Sequence, residues 1–184
     1  MSDPIDYGPL EALFGAWEGD KGTDIAPEPD GSEESPYFET IEFTPIGDVE
    51  NAESQLLAAV RYQQIVRRKS NGEVFHDQTG YWMWDAREGV VMQSIAIPRA
   101  VCVLAGGSYS GGGPPVTLAV AARLGDPDWG IIQSPFMRDN AKTLAFRHEI
   151  RVAAGTLSYA ETTSLEIYGR AFEHTDENQL SLKS

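Results

Sequence analysis

Gly15-Ala16-Trp17-Glu18-Gly19, set directly after the apolar segment Leu10, Leu13 and Phe14, is the stretch on which the fold turns. A tryptophan between two glycines suits a first strand that bends sharply into a barrel. The large ring plugs one end, and the missing side chains let backbones approach. A second cluster, His76-Asp77-Gln78-Thr79-Gly80-Tyr81-Trp82, reads as a later strand. A small barrel can enclose one ligand, and an inward imidazole on its wall can bind a metal or donate a hydrogen bond. Together the two clusters predict a small ligand-binding β-barrel.

Outward from Trp17, Gly8 to Phe14 predicts one or two helical turns, with Pro9 early and Gly15 ending them. Lys21 to Pro36 is acidic and broken by Gly and Pro, and reads as a solvated, mobile loop. Strand signals then recur at close spacing. Tyr37, Glu39, Ile41 and Phe43 fall on one side of the first. Ser54 to Arg68 and Glu73 to Asp85 form two arms around the turn Ser70-Asn71-Gly72. Gly89 to Ile97 and Arg99 to Tyr109 pair across Pro98, Val116 to Leu124 follows Gly111 to Pro115, and a loop from Gly125 leads to Ile131-Ile132-Gln133. The clearest hairpin turns at Ala154-Gly155. Leu144, Phe146, His148, Ile150 and Val152 share a face on one arm, and Leu157, Tyr159, Glu161, Thr163 and Leu165 share one on the other. The sum is an all-β chain: a single antiparallel up-and-down barrel of about ten strands with a short N-terminal helix, spanning residues 1–184 as one domain.

Composition narrows the function. A formal net charge of -14 disfavours a grip on nucleic acid or anionic membrane, both of which need basic surface. No apolar run reaches the ~20 residues of a membrane span. A lone cysteine, Cys102, excludes an intrachain disulfide, and Met1 to Asp6 lacks the pattern of a secretory leader, so a cytoplasmic, soluble protein is expected. Cys102, between Val101 and Val103, reads as a buried inert thiol. Three scattered histidines show no zinc spacing, and Gly106-Gly107 and Gly111 to Gly113 precede no helix that could cradle phosphate. Two structural alternatives compete. Leu56 to Val60 has the alanine and leucine content of a helix, and a β-sandwich would give a similar strand pattern.

The order of several motifs resembles the nitrobindin family, heme-binding β-barrels shaped like fatty-acid-binding proteins. Gly15-x-Trp17-x-Gly19 follows a short helix, Ile41-Glu42-Phe43 with Gly47 follows next, and His76 precedes Gly80-Tyr81-Trp82. Ile95-Ala96-x-Pro98, Gly107-x-Tyr109 and Leu157-Ser158-Tyr159 continue the match from Leu10 to about His174. The resemblance implies a heme b held in an open barrel mouth. It makes His174 the axial iron ligand and His76 a second histidine in the cavity. His174 stands about one residue off the motif position, and on a strand one residue decides the face. Met83 where the family often has arginine, with the insertions at Lys21 to Pro36 and Gly111 to Pro115, marks a divergent branch.

Heme demands a neutral imidazole for iron and apolar walls for the porphyrin. Phe75, Trp82, Trp84, Ile95 and Ile97 are the expected walls; Phe75 reaches the cavity beside His76 only through a bulge or strand end. The iron's chemistry with nitrogen oxides or peroxides, as a heme-dependent isomerase or peroxidase-like enzyme, is the activity this implies. Two other functions remain open. An iron-free fatty-acid or lipid carrier would use Arg61, Arg99 or Arg147 to meet a carboxylate. A cofactor-independent enzyme would pair His76 with Asp77 or Glu161 as acid and base.

Overall fold

The computed structural model describes residues 4–183; Met1 to Asp3, at the head of the stretch read for a leader, and Ser184 lie outside it. A 3-10 turn, Gly8–Leu13, leads into β1 (Gly15–Glu28), β2 (Gly31–Asn51), β3 (Gln55–Arg68), β4 (Val74–Asp85), β5 (Val90–Ile97) and β6 (Val101–Ser108). The chain continues through β7 (Val116–Arg123), β8 (Ile131–Gln133), helix α1 (Pro135–Asn140), β9 (Ala141–Ala153), β10 (Thr156–Ile167) and β11 (Arg170–Leu182). Neighbouring strands are antiparallel, and β11 returns to pair with β1 while β5 pairs with β6. β6 reaches β7 through Gly106 and Ala121, which closes ten strands into a barrel. β8 is an extra strand on β6, paired along Val101 to Val103. No helix among the described residues is long and apolar enough to cross a membrane.

Period-two alternation builds the interior. Tyr37, Glu39, Ile41 and Phe43 are buried in β2 while Phe38, Thr40 and Glu42 are exposed. β3 runs as a strand along its whole length, which resolves the helix alternative at Leu56 to Val60. At one end the 3-10 turn closes the barrel: Leu10, Leu13 and Trp17 are all but inaccessible, and the Trp17 indole donates to the Leu13 carbonyl at 2.7 Å. Burying each such side chain stabilises by about 2 kcal/mol. Gly80 is required where β4 meets β5, because a Cβ there would strike the Ser94 carbonyl and press on the Tyr62 ring. The opposite end carries the turns of β1–β2, β3–β4, β5–β6 and β10–β11 together with α1, and it stays open.

Three expectations need correction. Lys21 to Pro36 is not a loop: β1 runs to Glu28, β2 starts at Gly31, and the arms pair from Gly22 with Tyr37 to Glu28 with Gly31. Its acidic residues other than Asp24 are exposed to solvent, where charge is no obstacle to a strand, while Asp24 faces in. Cys102 is exposed rather than buried, because it points outward between inward Val101 and Val103. In β9 the pairing to β10 shifts between Ser164 and Leu165, so Thr143, not Leu144, joins Phe146 and His148 on the buried face.

Candidate functional site

The open end leads into a cavity of about 370 Å³. One side is apolar, formed by Val66, Phe75, Ile95, Ile97, Val101 and Val103. The other is ionisable, formed by Asp24, Glu161, His174 and Asp176. Register explains why the ionisable groups gather: Asp24 on β1, Asp176 on β11, Glu161 on β10 and His148 on β9 are successive cross-strand partners. They form one rung across four adjacent strands, all facing in.

His174 lies two residues from Asp176 on β11, on the same inward face. Its Nε2 is 2.6 Å from Asp24 Oδ1 and 3.5 Å from Asp176 Oδ2. Burial alone would lower its pKa, but the Asp24 hydrogen bond and the charge of Asp176 overcome that and raise it. Burial raises Asp176, with Asp24 adding to the shift and His174 opposing it. Glu161 is raised well above the ordinary carboxyl value by burial, then by Asp176 and Glu39.

His76 also lines the cavity, with its pKa lowered chiefly by burial. Phe75 reaches the cavity beside it because the β3–β4 register slips between Val66 and Arg67, leaving Phe75 as the extra residue of a bulge. A chain of polar side chains runs inward from here. His76 Nε2 meets Gln78 Oε1 at 3.2 Å, and the Gln78 amide donates to Tyr62 Oη at 2.8 Å. Gln93 donates to the same oxygen at 3.1 Å, and its Oε1 meets His148 Nδ1 at 2.9 Å. An acceptor facing Nδ1 fixes the proton there. Burial drops the His148 pKa to about 3, so this imidazole is neutral.

Near the rung sits Glu39, buried, which sequence reasoning put on one face with Tyr37, Ile41 and Phe43 but gave no role. It accepts from Gln64 at 2.5 Å, Asn178 at 2.7 Å and Tyr159 Oη at 3.0 Å. Tyr37 and Tyr159 exchange a further bond of 2.8 Å. Burial pushes the Glu39 pKa up to about 7 despite the three donors.

The expected site residues are thus sorted by position. His174, His76, Phe75, Ile95 and Ile97 line the cavity. Trp82 does not; it is fully buried, its ring 5.8 Å from that of His148. Trp84 borders a different, wider depression of about 600 Å³ at the closed end, whose ionisable side chains are Asp6, Glu11 and Tyr109. Of the proposed arginines, Arg99 lines the cavity, whereas Arg61 is exposed and Arg147 faces Glu173 outside. Asp77 is exposed and accepts from Gln63, so it is no partner for His76. Asp24 and Asp176 were missed. Asp24 follows a register shift between Gly19 and Gly22, which breaks the alternation that would have flagged it. Asp176 was legible from the spacing His174, Asp176, Asn178, Leu180, whose two distal members are buried.

Comparison with known proteins agrees with the fold. Residues 6–181 match the family model described as a THAP4-like, heme-binding beta-barrel domain. The chain belongs to this family. The crystal structure of Rv2717c from M. tuberculosis has the same nitrobindin-like barrel fold. It aligns with a TM-score of 0.71 at 23% identity, covering 96% of this chain and 98% of that one. No curated protein matches the chain. Membership of a heme-binding barrel family supports a ligand held inside the barrel, and the cavity described above is where this member has room for one.

Proposed function

We propose that this barrel binds heme b in the open cavity, with His174 as the axial ligand and His76 contacting the bound group. The observation that carries the reading is the placement of His174 on the inner wall, its ring held by Asp24 and facing an aliphatic side. The donor set fits the group: an imidazole steadied by a carboxylate is a common metal-ligand arrangement, and apolar side chains suit a porphyrin face. Asp24 orients the ring and holds the proton at Nε2, leaving the lone pair on Nδ1. Phe75, Ile95 and Ile97 exclude water from the bound face, and Arg99 supplies a cation for an acidic substituent. When bound, the iron supplies chemistry with nitrogen oxides or peroxides.

Hemin titration of the purified protein, read by absorption, tests this. A saturable Soret shift at one hemin per chain is expected, with the imidazole signature abolished in His174→Ala and altered more mildly in His76→Ala. Unchanged spectra in both variants would remove the two assignments. No saturable shift in the wild type would remove heme.

A further inference from the structure

We propose that Asp24, His174 and Asp176 form a binding site for a divalent first-row transition-metal ion in the heme-free barrel. The proposal goes beyond heme binding and does not depend on it; the ion takes His174 Nε2, the nitrogen whose proton Asp24 holds in the heme reading, so the two occupants need opposite tautomers of one imidazole and exclude one another.

Geometry is the first support. One ligand atom from each of the three residues lies within 4.8 Å of the others, on the wall of an accessible cavity. His174 Nε2 stands 2.6 Å from Asp24 Oδ1 and 3.5 Å from Asp176 Oδ2. Around an ion with bonds of about 2.0–2.2 Å, neighbouring ligand atoms are separated by about 3.0–3.6 Å. Side-chain shifts of about an ångström would bring the set to that spacing. β1 and β11 fix the backbone, because Asp24 and Asp176 are direct cross-strand partners.

The charge arrangement is a second and separate support. Like charges directly opposite on neighbouring strands destabilise a sheet. Here the rung places three carboxyl groups in a row, Asp24, Asp176 and Glu161, facing a cavity rather than solvent. The Glu161 side chain is only 13 % exposed, and among the described residues its ionic partner is His148 Nδ1, 3.8 Å away. That nitrogen already serves Gln93, so the Glu161 carboxyl is left facing the cavity without a hydrogen bond. A cation beside this row relieves the repulsion, and Glu161 is available to pair with a water on the ion.

The ligand chemistry selects the metal. One imidazole with two carboxylates suits zinc, iron, cobalt or manganese better than the all-oxygen preferences of magnesium and calcium. Three protein ligands leave coordination positions open toward the cavity, as in sites that bind a small molecule on the metal.

The test is a Co²⁺ titration of tag-free, heme-free full-length protein, followed by visible absorption and calorimetry, with circular dichroism to check each fold. One Co²⁺ per chain is expected, with affinity at least tenfold weaker in Asp176→Asn and lost in His174→Ala. Mg²⁺ should not compete, and Zn²⁺ should. Prior loading with hemin should block Co²⁺. The wild-type titration decides even if a variant fails to fold: no saturable binding up to millimolar Co²⁺ overturns the site and leaves a simple histidine–aspartate ion pair. Undiminished binding in both variants also overturns it, by placing the ion elsewhere. A protein that takes Co²⁺ but no hemin upholds this site while removing the heme reading, so the two failures are distinguishable.

Discussion

Glu39 and His148 show how the cavity floor stores titratable groups in their neutral forms. Glu39 has a folded pKa near 7 against an ordinary value of 4.5. Its folded state therefore binds more protons than the unfolded chain between those values, so its contribution to stability is full below pH 4.5 and is lost as pH rises through 7. Tyr37 and Tyr159 extend its hydrogen-bond network. His148 works in the opposite sense. Its folded pKa of about 3 makes stability full above 6.5 and lost as pH falls toward 3. Comparison with Glu39→Gln isolates the first effect: urea melts should show wild type losing more stability than the variant between pH 5 and 8. Equal losses would mean Glu39 is ionised in the fold throughout. Cys102 gives a simpler prediction, since its side chain faces out. A maleimide reagent should label it in the native protein without changing hemin affinity, and protection until unfolding would contradict its orientation. At this scale the sequence revealed His174 and His76 through their motifs. Asp24 stayed hidden because the irregularity after Gly19 broke the period that reveals an inward side chain.

Among the elements, strands with alternating apolar residues were legible and polar strands were not. β2, β3 and β4 announced themselves through Tyr37, Ile41 and Phe43 and through the Asn71-Gly72 turn. β11 closes the barrel against β1, yet its inward positions are His174, Asp176, Asn178 and Leu180, which pattern reading takes for a solvated tail. The same confusion made a loop of the acidic hairpin, whose charges, Asp24 apart, are exposed to solvent. Polar strands form here because their neighbours supply the backbone hydrogen bonds, a tertiary effect that propensity does not record. Close approach between strands is testable at Gly80. Its replacement by alanine drives a Cβ into the Ser94 carbonyl and should destabilise by about 1–3 kcal/mol in urea denaturation. Gly112→Ala, with no atom near its Cβ position, should stay within about 0.5 kcal/mol. Equal effects would mean the β4–β5 contact is looser than described.

For the whole molecule, the barrel divides labour between its ends. The 3-10 turn, Trp17 and the aliphatic core make one end solid, while the turns around Arg99 and Tyr168 leave the other end open. The floor between them is a satisfied polar network, and the wall above it carries one imidazole among three carboxyl groups. A cavity so acidic, with Arg68 and Arg99 its lining cations, suits an iron or other cationic centre better than a bare fatty acid. Its residues come from strands far apart in sequence, so the motifs located the barrel and its histidines but not their company. The decisive measurement is resonance Raman spectroscopy of the reduced, hemin-loaded protein. An iron–histidine stretching band in the wild type, absent in His174→Ala and shifted in Asp24→Asn, is the predicted result. An unchanged band in His174→Ala, or hemin held with no such band in the wild type, would contradict axial ligation by His174.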